Sequence, residues 1–159
     1  NRMAGRQLYD WSLVSEGGGT VRCSAGTEFI LDGDLGELTR NDSLILCGGE
    51  HVQKATSKKL LSWLRREARK GIAVGGLCTA TYALAKAGLL DGKRATSSPG
   101  VIDAMGLTAT QVLTQPVVSD GHVITSQGPG TAMDFALILI EKLLGAEQRQ
   151  AVEGPLQRP

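Results

Sequence analysis

At 159 residues and 42% hydrophobic side chains, the chain has enough apolar material for one globular domain, spanning 1–159, with a sizeable core. Seventeen basic and 16 acidic side chains are dispersed and leave a formal charge of +1, which gives no electrostatic footprint for nucleic acid or an anionic membrane. No apolar run reaches bilayer length and no charged-then-apolar leader opens the sequence, and Cys23, Cys47 and Cys78 lack metal-ligand spacing. A cytoplasmic setting with reduced thiols, no metal, and no membrane or nucleic-acid partner is therefore expected.

The alternation in "QLYDWSLVSE" (7–16), followed by three glycines, predicts a strand and a turn. "TVRCSA" and "EFIL" read as short strands, and "DSLILCGG" (42–49) as a buried strand ending on paired glycines. From Ser57 to Lys70, Leu60, Leu64 and Ala68 mark one helical face, with Leu61 widening it. "GIAVGGL" is the next buried strand, and "TATYALAKAGLL" a helix closed by glycine. "RATSS" predicts a short strand, and Pro99 begins a helical turn. Residues 110–126 predict a hairpin turning at Asp120-Gly121. The last predicted helix, 130–145, sets Met133, Leu137, Ile140 and Leu144 on one face, with Thr131 as N-cap and Gly145 just past its end. Strands alternating with helices imply a mainly parallel sheet covered on both sides, a three-layer α/β/α sandwich.

In such sheets ligands collect at the carboxyl ends of the strands. "CGGEH", "LCTA" and "SQGPGT" should meet there. Cys78 falls at a helix start, where free amides and the dipole favour negative charge on sulfur. The amides of Gly48 and Gly49 are candidates to stabilise an oxyanion. A small buried hydrophobe is the alternative reading of Cys78.

"LILCGG", "LCTATYALAKAGLLDGKRAT" and "VITSQGPGTAMDFALILIEKLLG" together resemble the ThiJ/PfpI superfamily, over most of residues 43–145. The resemblance implies a flavodoxin-like sandwich with a reactive cysteine on a strand–turn–helix elbow at Cys78. It also implies backbone contributions from Gly48, Gly49 and Thr79, a site lining of Ser98, Pro99, Gly128, Pro129 and Gly130, no cofactor, and a homodimer. Residues 1 to about 96 look like the sensing domain of AraC-type regulators of the GlxA kind. Residues from about 95 onward look like the deglycase branch, and the change of resemblance implies a join near 95–98.

Both branches carry an initial strand and helix that have no counterpart in this sequence, and with them the glutamate that pairs with the cysteine in the deglycase branch. Ser98 stands where deglycases often have histidine, and Thr79 where protease-like members do, so peptidase chemistry is not expected. Glu50 and His51 are the candidate substitute proton carriers, with a solvated loop as the alternative. His122 is expected to be exposed. Two functions follow from this reading. One is weak cysteine-dependent deglycase or glyoxalase-type chemistry on small α-oxoaldehydes. The other is a non-catalytic sensing or scaffold domain, natural or recombined. The tail "AEQRQAVEGPLQRP" is too short for a helix-turn-helix.

Overall fold

The computed structural model describes every residue except Met3, Ala4, Thr39, Arg158 and Pro159. In chain order the strands are β1 (Val14–Ser15), β2 (Thr20–Arg22), β3 (Glu28–Ile30), β4 (Gly33–Asp34) and β5 (Ser43–Leu46). Helices α1 (Val52–Ala55) and α2 (Lys58–Ala68) follow, then β6 (Ala73–Leu77) and α3 (Thr81–Lys86). The second half contains β7 (Arg94–Ala95), α4 (Pro99–Met105), β8 (Gln111–Val112), β9 (Val117–Asp120), β10 (Val123–Ser126), α5 (Ala132–Leu144) and α6 (Ala146–Glu153).

The central sheet has the order β5-β6-β10-β9. The first three strands run parallel, with Leu46 opposite Gly76 and Gly76 opposite Thr125; β9 is antiparallel. This is the mixed, mainly parallel α/β architecture expected, because the apolar runs of β6 and β10 are buried on both faces. Two adjacent glycines of β6 show how those faces are covered. A Cβ on Gly76 would lie 3.0 Å from Leu84 Cδ1, and one on Gly75 would collide with the Phe135 ring. Successive strand residues point to opposite faces, so α3 and α5 pack on opposite sides of β6.

Several local expectations need correction. The 7–16 segment is a strand only at Val14–Ser15, which pairs with β4, an element the sequence pattern did not reveal. Short α1 and the tail helix α6 were also not foreseen. Beyond the expected Leu64, α2 buries Trp63 and Glu67, at 0%, 6% and 1% exposure respectively. On α5, Met133 and Leu144 are 47% and 37% exposed, while Phe135 and Leu137 are buried. That helix is apolar on more than one face, so spacing alone does not choose which face packs. The hairpin is confined to 117–126, with Gly121 (φ 58) and His122 as its loop. β8 instead pairs in parallel with β7.

Among the described residues β5 has no strand partner but β6, and β1 none but β4. Both line a cleft of about 1440 Å³, whose walls include Leu13, Val14, Trp63, Leu139 and Ile140. Asn1 reaches into this region, donating from Nδ2 to Tyr9 O and accepting at Oδ1 from Leu8 and Tyr9 N–H. Tyr9 Oη, Asn41 Nδ2 and Trp63 Nε1 are buried there without a hydrogen-bond partner among the described residues. No helix among the described residues is long and apolar enough to cross a membrane.

Candidate functional site

The three parallel strands deliver their carboxyl ends to one edge of the sheet. Leu77 is still extended (φ −90, ψ 126), and Cys78 then turns sharply to φ 56. Apart from Gln157, Cys78 is the one non-glycine residue with positive φ among those described. A left-handed side-chain-bearing residue is strained by on the order of 1–3 kcal/mol, so surrounding contacts must hold it. This strand-to-helix turn carries Cys78 onto the carboxyl edge of the sheet, half-buried. A short 3₁₀ turn, Cys78–Ala80, leads into α3, which is only six residues long. Of the predicted 79–90 helix, only Thr81–Lys86 is α-helical.

Gly48 is required by close approach. A Cβ there would lie 2.7 Å from Leu77 O and 2.8 Å from Thr79 Oγ1. Gly49 donates its N–H to Thr79 Oγ1 at 2.9 Å, and the same hydroxyl donates to Gly49 O at 2.9 Å. The glycine pair and Thr79 therefore do meet at the elbow. The Gly49 amide, however, is engaged by Thr79 rather than directed at an oxyanion.

Glu50 and His51 follow in an exposed loop, His51 standing before α1 without capping it. No hydrogen bond or ion pair joins either to Cys78 among the described residues, and the geometry is that of the solvated loop. His122 is exposed at the hairpin tip. Ser98 precedes α4 without a side-chain cap, and Pro99 is its first residue. Gly128 is extended, and its N–H and C=O are both bonded by the Thr131 hydroxyl, which caps backward into the Gly128–Gly130 turn instead of forward into α5. Cys47 is exposed and lines the cleft; Cys23 is half-buried beyond β2.

Two residues at the elbow were not identified from sequence. Thr81 Oγ1 donates to Cys78 O at 2.8 Å and touches Ser97 Oγ, which itself lies 3.3 Å from Cys78 O. Both side chains are buried. The available signal was a threonine three residues before Leu84, on the inward face of α3.

A family model described as the DJ-1/PfpI family matches residues 2–142. The HTH-type transcriptional regulator CdhR of Pseudomonas aeruginosa is 38% identical over 142 residues, covering 88% of this chain and 42% of the regulator. Protein dj-1beta of Drosophila melanogaster is 35% identical over 140 residues, covering 86% of this chain and 75% of that protein. The chain thus spans less than half the length of the regulator relative. Both matches are long enough to run through residues 95–98. The crystal structure of Drosophila melanogaster DJ-1beta superposes with a TM-score of 0.85 at 31% identity, covering 99% of this chain and 86% of that one.

Proposed function

Because the chain belongs to the DJ-1/PfpI family, we propose that it presents Cys78 as a thiol nucleophile toward small carbonyl compounds, forming adducts with little or no turnover. The observation that carries this reading is the left-handed backbone of Cys78 at the strand-to-helix junction (φ 56). Strain of this kind persists where neighbouring contacts hold it, and it clusters at reactive positions. The Cys78 sulfur would attack the aldehyde carbon of an α-oxoaldehyde. The thiol releases its proton to water, a C–S bond forms, the carbonyl π pair moves to oxygen, and the oxygen takes a proton back from water to give a hemithioacetal.

Deglycase or glyoxalase-type turnover would need a further group at the substrate to move protons, a contribution of roughly 10²–10⁴ in rate. Glu50 and His51 are the candidate side chains, and both are exposed, with no hydrogen bond or ion pair to Cys78 among the described residues. A steady-state assay with methylglyoxal on the parent and on Cys78→Ser tests the reading. The expected result is stoichiometric mass addition to the parent, lost in Cys78→Ser, with weak or no turnover. Robust turnover abolished by Cys78→Ser would instead establish the enzyme reading.

A second reading is a ligand-sensing or scaffold domain without catalysis. It is supported by the 38% identity to CdhR over most of this chain. Unaltered Cys78 in excess methylglyoxal would favour it. The chemical reading also carries a homodimer, because Trp11, 70% exposed, and the apolar cleft leave surface that association would cover. Light scattering that gives only monomer over a broad concentration range would contradict that assembly.

A further inference from the structure

We propose that Thr81 and Ser97 are positioning residues that clamp the Cys78 peptide and hold the cysteine in its left-handed conformation. The proposal rests on the reading of Cys78 as the reactive thiol and deepens it. It starts from the Cys78 carbonyl, which receives three contacts. Thr81 gives two of them: its backbone N–H, and its hydroxyl at 2.8 Å. Ser97 Oγ is the third, at 3.3 Å. The two hydroxyls also touch each other.

Proton counting defines how the cluster works. Two hydroxyl protons serve three oxygen–oxygen contacts, so not all three can be hydrogen bonds at once. The shorter approach to Cys78 O belongs to Thr81, which donates there; Ser97 then donates to Thr81 Oγ1. Ser97 thereby polarises the Thr81 hydroxyl and fixes its rotor, and neither proton is left without an acceptor.

Thr81 and Ser97 are 0% and 4% exposed, so water does not compete for these bonds. The residues come from separate parts of the fold. Thr81 opens α3, while Ser97 lies in the segment between β7 and α4. The neighbouring Thr96 anchors that segment through its N–H to Thr125 Oγ1 on β10, at 2.9 Å. The clamp therefore ties the elbow peptide to a strand-anchored support. Rotating Cys78 back to negative φ would swing its carbonyl away from Thr81 Oγ1 and leave that buried hydroxyl proton without its acceptor.

The test measures second-order alkylation of Cys78 by iodoacetamide, using peptide mass spectrometry, with Cys47 of the same molecules as internal reference. The proteins are the parent, Thr81→Val/Ser97→Ala, and Thr81→Ser, all checked for native circular dichroism. The double variant is expected to slow Cys78 about tenfold relative to Cys47, and Thr81→Ser to stay within about twofold of the parent. Where Cys78 of the parent outpaces Cys47, equal ratios in all three proteins would overturn the clamp. Amide hydrogen exchange at Ala80 and Thr81 supplies a readout independent of thiol chemistry. If Cys78 of the parent alkylates no faster than Cys47, the reading of a reactive thiol fails. The clamp is then judged on exchange alone: faster exchange in the double variant supports it, and unchanged exchange overturns it.

Discussion

The Thr79 hydroxyl accepts the Gly49 amide and donates to the Gly49 carbonyl, each at 2.9 Å, so one side chain fastens both polar groups of one peptide residue. The pair joins the loop after β5 to the turn after β6. It also decides what Gly49 can do, since an amide held by Thr79 is not free to meet an oxyanion. Thr79→Ala should raise deuterium uptake across Gly48–His51 and lower stability by about 1 kcal/mol, while Thr79→Ser keeps both near the parent values. Unchanged exchange in Thr79→Ala would remove this tie from the account.

Gly48 makes a harder demand. The Cβ of alanine would sit 2.7 Å from Leu77 O and 2.8 Å from Thr79 Oγ1, so the two strand ends must move apart. Gly48→Ala is expected to destabilise the protein by about 1–3 kcal/mol, as overpacking does. It should also slow Cys78 alkylation, because Leu77 and Thr79 flank the cysteine. Urea unfolding and peptide mass spectrometry on the same preparations check the two effects together.

The parallel core was legible in the sequence because buried strands read as continuous apolar runs: β5 and β6 were found as "DSLILCGG" and "GIAVGGL". The hairpin was legible from its Asp-Gly, although the loop is Gly121-His122. Cys78 was placed correctly at the junction, since glycine-flanked strand and small-residue helix meet there. What was lost depended on distant partners. Glu67 falls at helical spacing on the Leu60–Leu64 face, but a carboxylate there reads as solvated, and its burial follows from packing and from Lys70 and Arg66. Ser97 and Thr81 are 16 residues apart, and their contact exists only once α3 and the 96–98 segment meet. Glu50 and His51, offered as substitute proton carriers with a solvated loop as the alternative, lie in an exposed stretch that turns into α1.

Glu67 predicts a pH dependence. Burial opposes its charge, but hydrogen bonds from Lys70 and Arg66, with their positive charges, outweigh it and hold the carboxyl below its ordinary value of 4.5. A depressed folded-state value contributes stability that is fully present above 4.5 and is lost as pH falls through the folded value. Glu67→Gln should therefore lose about 1–3 kcal/mol at neutral pH, and the gap to the parent should narrow in acid. Urea unfolding of both proteins at about pH 7 and about pH 3 checks this; a gap that widens in acid would contradict it.

Limited alkylation of the folded protein, read residue by residue, tests the central claim most directly. Cys47 is exposed and Cys78 and Cys23 are half-buried, so accessibility alone favours Cys47. With substoichiometric iodoacetamide near neutral pH, Cys78 is predicted to be labelled first despite that disadvantage. Preferential labelling of Cys47 or Cys23 would contradict the assignment of the elbow cysteine as the reactive group.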